Sequence, residues 1–147
     1  MSRQNRFDKV DLLGVSVDVV DLSGAINYIC TYAADRTQPA GYVIKPYVEF
    51  LDKACCNPEL IELLSDAELS IADGVAVLWA AHYLYAGPRS LPRLFTTLAQ
   101  IIFEPAELRW PVPERAAGTN FTWPLLRAAA TNHLRVYLIG KETMADI

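Results

Sequence analysis

Apolar and polar positions alternate with a period of two near the start of the chain. Leu13, Val15, Val17 and Val19 stand against Gly14, Ser16 and Asp18, so residues 10–20 are predicted to form one or two strands. Asp21 is a good N-cap, and Leu22, Ala25, Ile26, Ile29 and Ala33 follow at helical spacing, predicting a helix over 22–35 that ends at Gln38-Pro39-Ala40-Gly41. Tyr42-Val43-Ile44 reads as a short buried strand, stopped by the proline of Lys45-Pro46-Tyr47. Helical spacing returns over 48–56 with Val48, Leu51, Ala54 and Cys55 on one side. Asn57-Pro58 then reads as a cap with proline at the first helical position, ahead of Leu60, Ile61 and Leu64. Residues 68–71 form a further strand pattern and 75–85 a further helix.

The character changes at residues 87–112, an insertion bracketed by prolines. Inside it, Leu91, Leu94, Phe95, Leu98, Ile101 and Ile102 share one face of a helix over 91–103, opposite Arg93, Thr97, Gln100 and Glu104. Such a face ordinarily packs into a core. The alternative is an interfacial helix, with Arg89, Arg93 and Arg109 near its ends meeting anionic headgroups. Thr119 or Asn120 is expected to cap a helix running to Asn132. Arg135 to Ile139 forms a fourth strand pattern, and Gly140-Lys141 turns into what reads as another helix. Strands alternating with helices predict a layered α/β domain with a mostly parallel sheet. With nothing following to pack on the last helix start, residues 1–147 are expected to be one domain incomplete at its C-terminus.

Composition narrows the function. A chain of 147 residues, 52% hydrophobic and 20% charged, can bury a core and is not a disordered tail. A net charge of −4, with no basic run, argues against non-specific nucleic-acid binding. The three cysteines, Cys30, Cys55 and Cys56, include an adjacent pair and leave an odd one. The polar N-terminus has no apolar core of a signal peptide, so a reducing cytoplasm is expected. None of the cysteines adjoins a histidine, and they read as small buried residues. His82 and His133 read as structural or exposed, and Trp79 as core.

The candidate chemistry centres on residues 70–81, Ser-Ile-Ala-Asp-Gly-Val-Ala-Val-Leu-Trp-Ala-Ala. An apolar strand delivers Asp73 and Gly74 to a corner from which a helix departs. In α/β proteins that corner is the carboxyl end of a strand, where ligands sit, beside helix N–H groups that favour anions. Alternatively, Asp73 is only a cap.

Five stretches in order carry a family likeness: Leu13-Gly14-Val15-Ser16-Val17-Asp18; Val48-Glu49-Phe50; Ile71-Ala72-Asp73-Gly74-Val75 with Trp79-Ala80-Ala81; Pro113-Glu114-Arg115 with Gly118-Thr119; and Val136-Tyr137-Leu138-Ile139-Gly140. Together they resemble the WecG/TagA/CpsF glycosyltransferases (glycosyltransferase family 26). The resemblance implies a Rossmann-like enzyme that moves a sugar, N-acetylmannosamine or a related hexose, from a UDP-sugar with inversion and without a metal or other cofactor. The implied acceptor is a polyprenyl-diphosphate-linked sugar at the cytoplasmic face of the plasma membrane, in cell-surface polysaccharide or teichoic-acid-type synthesis.

By position, Asp73 matches the family's candidate general base, Arg115 an arginine for substrate or phosphate, and Gly118-Thr119 the turn after it. Two departures stand out. The family's aspartate after Gly-Thr is Asn120, and its Thr-x-Asn pair is replaced by Lys45 and Tyr47 around Pro46. Lys45 could offer charge to a diphosphate, and Tyr47 could stack on a sugar or base. The bland alternatives pair Arg115 with Glu114 and Lys45 with Glu49. Since family members continue with further strands and helices, little turnover is expected from residues 1–147 alone, and exposed apolar surface makes a homo-oligomer reasonable. The competing reading is a non-catalytic, truncated α/β domain that binds a nucleotide sugar.

Overall fold

The computed structural model describes residues 7–139, the side chain of Thr119 excepted. It is a mixed α/β chain. The strands β1 (Lys9–Leu12) and β2 (Val15–Asp18) pair antiparallel, Val10 opposite Val17. Their turn, Leu13-Gly14, has positive φ at both residues, as the tightest hairpin turns require. The alternating pattern over 10–20 therefore resolves into a hairpin whose Val10, Leu12, Val15 and Val17 are buried.

After it come α1 (Leu22–Ala34), β3 (Val43–Ile44), α2 (Val48–Ala54), α3 (Pro58–Ser65), β4 (Leu69–Ser70) and α4 (Val75–Tyr85). They are followed by α5 (Leu91–Phe103), a 3-10 turn at Glu107–Arg109 and α6 (Gly118–Thr131). The predicted caps Asp21 and Asn57 accept the N–H groups of Gly24 at 2.8 Å and Leu60 at 3.1 Å.

β3 and β4 pair in parallel, Val43 with Leu69 and Ile44 with Ser70. Backbone bonds carry this pairing past the strand ends. Ile71 N–H donates to Ile44 at 2.9 Å, and Asp73 N–H to the Pro46 carbonyl at 3.0 Å. Proline cannot donate, but its carbonyl still accepts. On the other edge of β4, the Ala72 carbonyl accepts from Ala116 N–H at 2.8 Å. The Ser70 N–H on that edge is met by a side chain, the Asp18 carboxylate, at 2.7 Å. Leu69 and Ile71 bury against α1 and α6 through Ala25 and Phe121, while Ala72 joins the hairpin, Leu51, Leu64 and Val77. Both faces of this strand are thus covered.

Three expectations are corrected. Among the described residues the pairing is one antiparallel hairpin and one parallel pair, not a mostly parallel sheet. Arg135 to Ile139 forms no strand: Val136, Tyr137, Leu138 and Ile139 are exposed with no strand beside them. The turn and helix start expected at Gly140-Lys141 lie outside the described residues. Finally, Cys55 and Cys56 are exposed and only Cys30 is buried.

Helix α5 has the expected bounds, but of its apolar face only Leu94 and Ile101 turn inward, Ile101 against the core. Thr97 is buried, while Leu91, Phe95, Leu98, Ile102 and Phe103 are exposed. Polar contacts with α4 explain why the rest turns outward. The Trp79 indole donates to Thr97 Oγ1 at 3.1 Å. The Arg93 guanidinium donates to the carbonyls of Tyr83 at 2.7 Å, Gly87 at 3.0 Å and His82 at 3.1 Å, filling the open carbonyls at the end of α4. Arg93 is therefore a helix-end clamp, not a headgroup contact. Trp79, half-buried and stacked on Tyr83, and His82, bonded through Nδ1 to the Trp110 carbonyl, are structural as expected.

Burial pushes the Asp18 carboxyl above its ordinary value, against the lowering effects of Ser70 N–H and Lys9. The folded state then holds that proton more tightly than the unfolded chain does. The stability it contributes is full below the ordinary value near 3.8 and is lost as pH rises through the higher folded value. Urea unfolding of the wild type and Asp18→Asn should therefore show the wild type losing ground to the variant as pH rises from about 4. Asp18→Ala, which orphans Ser70 N–H, should cost about 1–3 kcal/mol.

Candidate functional site

The backbone bonds around β4 bring three chain segments level: Lys45-Pro46, Asp73-Gly74 and Arg115-Ala116. Each segment is followed by the start of a helix, α2, α4 or α6. Lys45 Nζ lies 3.2 Å from Asp73 Oδ2 and 5.7 Å from the centre of the Phe121 ring, so one ammonium links the first two segments and the helix that follows the third. The two side chains are 27% and 33% exposed, and a pair this open to water is worth about 0.2–1 kcal/mol. A multiply charged ligand can displace it. Among the described residues, Asp73 Oδ1 has no partner.

Gly74 has φ 94° and ψ 156°, a region essentially confined to glycine. A Cβ there would meet nothing within 4 Å, nor would one at Gly118. Both helix starts therefore face open space. Among the described residues, the six α-helices divide accordingly. Asp21, Asn57 and Ser90 cap α1, α3 and α5 with side-chain oxygens. The helices leaving the site, α2, α4 and α6, start at Tyr47, Gly74 and Ala117 with no side-chain cap. Their first N–H groups are left for solvent or a ligand. Asp73 is thus not the cap of α4, and neither Thr119 nor Asn120 caps α6. Both lie in its first turn.

Beside this corner is a cavity of about 410 Å³, lined by Val75, Leu78, Ile101, Pro105, Arg109, Glu114, Arg115 and Asn120. Lys45 and Asp73 do not line it; they adjoin it through Gly74-Val75 and Asn120-Phe121. Glu114 is committed to the start of α1, its Oε2 accepting Leu22 N–H at 3.1 Å. Arg115 therefore does not pair with Glu114, and among the described residues it has no ion-pair partner. Nor does Lys45 pair with Glu49, which instead holds Lys53 at 2.7 Å and the Tyr47 hydroxyl at 3.2 Å. These bonds hold the Glu49 carboxyl below the usual range. Tyr47 packs edge-on against Phe50 outside the cavity lining. Asn120 also borders a more open hollow of about 670 Å³ with Trp123 and Arg127.

Phe121 and Arg109 are the site residues that sequence reasoning missed. Phe121 is the first aromatic residue after Gly118, a signal available in the sequence. Arg109 was read as a headgroup contact, and its place in the cavity follows from the 3-10 turn. A separate hollow of about 530 Å³ lies at the far ends of α1 and α6, lined in part by Arg36, His133 and Arg135.

The two glycines should respond oppositely to alanine. Gly74→Ala should lose about 1–3 kcal/mol in urea unfolding, because its backbone conformation is strained for any side chain. Gly118→Ala, with open space and ordinary helical geometry, should be neutral or gain about 0.4–1 kcal/mol.

The comparisons fit the arrangement. N-acetylglucosaminyldiphosphoundecaprenol N-acetyl-beta-D-mannosaminyltransferases of Staphylococcus aureus strains NCTC 8325 / PS 47 and COL are each 24% identical over 132 residues, 90% of this chain and 42% of the relative. The chain thus spans about two-fifths of the length of these curated relatives. The profile of the Glycosyl transferase WecG/TagA/CpsF family matches residues 10–106, which include the hairpin, Lys45, Asp73, Gly74 and α5. By that match the chain belongs to the WecG/TagA/CpsF glycosyl transferase family.

Proposed function

We propose that this chain forms the acceptor-activating part of a glycosyl transferase site. The reaction moves N-acetylmannosamine or a related hexose from a UDP-sugar to a polyprenyl-diphosphate-linked sugar, and the sheet elements are the core of a Rossmann-like layer. The observation that carries this reading is the convergence of Asp73, Lys45, Arg115 and three uncapped helix starts at the ends of adjacent backbone segments. The name of the relatives, which puts the acceptor sugar on diphosphoundecaprenol, supplies the acceptor class.

In this reading the acceptor hydroxyl gives its proton to Asp73 as its oxygen attacks the anomeric carbon. The bond from that carbon to the UDP oxygen breaks with inversion, and the diphosphate leaves with the electron pair. Arg115, whose planar fork suits phosphate, and the N–H groups at the starts of α4 and α6 receive the developing charge. No metal is needed, since Lys45 and Arg109 add positive charge nearby. Lys45 starts on Asp73 Oδ2 and is released to the diphosphate when donor binds, which leaves the carboxylate free to act as base. Asn120, which lines the cavity, completes the substrate-facing rim. The enzyme works at the cytoplasmic membrane surface, although no helix among the described residues is long and apolar enough to cross a membrane.

A binding-only reading is favoured by one feature, the Lys45 ammonium resting on the base. Assays of the protein as encoded separate the two readings. Asp73→Asn should lower transfer by about 10²- to 10⁴-fold while leaving UDP affinity within about twofold. Arg115→Ala should weaken UDP by at least about tenfold, the loss of a charge-assisted bond. Full transfer by Asp73→Asn would remove the base assignment, and UDP binding without any transfer by the wild type would favour the binding domain.

A further inference from the structure

Helix α5 presents its apolar stripe to solvent. Leu91 is 72% exposed, Phe95 69% and Ile102 76%, with Leu98 between them, at spacings of four, three and four residues. These positions form one continuous ridge along a helix about 20 Å long. The same helix packs through Thr97, Arg93, Leu94 and Ile101, so the exposure of the ridge is built into the fold. The helix carries no acidic residue. Arg89 precedes the stripe and Arg109 follows it. Exposed apolar area of this extent marks an interaction surface.

We infer that this stripe docks the protein on a lipid bilayer, with Leu91, Phe95, Leu98 and Ile102 entering the headgroup–acyl boundary. Arg89, just ahead of the ridge, then meets headgroup phosphates. The inference deepens the proposed function and rests on it for the choice of lipid over protein. Two features of the structure single out α5. The first is that Ile101, on its inner flank, and Pro105 and Arg109, just beyond it, line the 410 Å³ cavity. An acceptor whose sugar is separated from its hydrocarbon chain only by a diphosphate reaches that cavity only if the rim lies against the membrane. The second is charge: the ridge itself bears no acidic residue and the exposed Arg89 stands just ahead of it, which suits an anionic leaflet. Glu104 and Glu107 sit on the exposed turn after the helix, past the ridge.

The test is cosedimentation of the protein as encoded with phosphatidylglycerol-containing and pure phosphatidylcholine vesicles, beside light scattering of the protein alone. Phe95→Ser with Ile102→Ser removes two exposed side chains and should reduce partitioning by at least about tenfold. Leu63→Ser, at an exposed position on α3, should leave it unchanged. Arg89→Gln should reduce the preference for anionic vesicles. Should the double variant fail to fold, Leu91→Gln with Phe103→Gln makes the same test on the two ends of the helix. Wild-type protein that ignores both vesicle types, or variants that bind as the wild type does, would overturn the inference. So would a wild-type dimer that becomes monomeric in the stripe variants, since the stripe would then join copies of this chain. UDP titration of the same samples reads the nucleotide site independently, so loss of one result leaves the other standing.

Discussion

One buried hydrogen bond joins the two halves of this fold. Along β4 the donors of Glu68 and Ile71 go to the β3 side, while Ser70 N–H points to the edge where no strand pairs. Asp18, the last residue of the hairpin, supplies a carboxylate oxygen at 2.7 Å instead of a backbone carbonyl. Burying a charge is costly unless it is paired, and Lys9 at 3.6 Å provides the second partner. The hairpin is thereby held against β4, and the Tyr85 hydroxyl, bonded to both backbone polar groups of Asp11, ties it to α4 as well. With β4 fixed, Ala72 and Asp73 are bonded to neighbours on both edges, and the corner at Gly74 cannot drift.

That rigidity gives the site its character. In the proposed reading, Asp73 and Arg115 have to be held close to their productive geometry by the structure around them. Here the backbone of Asp73 is fixed through Pro46, and Ala116 is fixed through Ala72, so Asp73 and Arg115 arise from positioned segments. Their side chains are less constrained. Asp73 has a weak, exposed ion pair, and Arg115 is open. Fixed backbone with labile side-chain partners suits a site that must exchange one set of charges for another when a diphosphate arrives. The distribution of caps follows the same division, with side-chain oxygens closing the helices away from the site and open N–H groups at it.

Much of this could be read in the sequence, because local chemistry announced it. Asp21 and Asn57-Pro58 act within a few residues, and the structure places them as expected; the period of two over 10–20 marks the hairpin, although Leu13 sits exposed at its turn and Asp18 is buried. The Asp73-Gly74 corner was legible for the same reason. What failed depended on distant partners. Lys45 and Glu49 looked like neighbours on a helix start, yet Lys45 reaches Asp73 across the strand pair and Glu49 turns to Lys53. The apolar face of α5 was expected to be the packed one. Its true packing is decided by Thr97 and Arg93 finding the Trp79 indole and the open carbonyls of α4. The run over 135–139 has strand composition, but a strand needs a partner edge, and none adjoins it among the described residues.

The central claim is that the ends of the Lys45, Asp73 and Arg115 segments form one diphosphate-binding corner. It is tested most directly by titrating UDP into the ¹⁵N-labelled protein and following backbone amide resonances. The expected result is saturable shifts concentrated at Gly74, Val75, Gly118 and Phe121, reduced in Arg115→Ala. Silence at those amides, or shifts gathered instead around Arg36, His133 and Arg135 at the opposite end of α1 and α6, would contradict it.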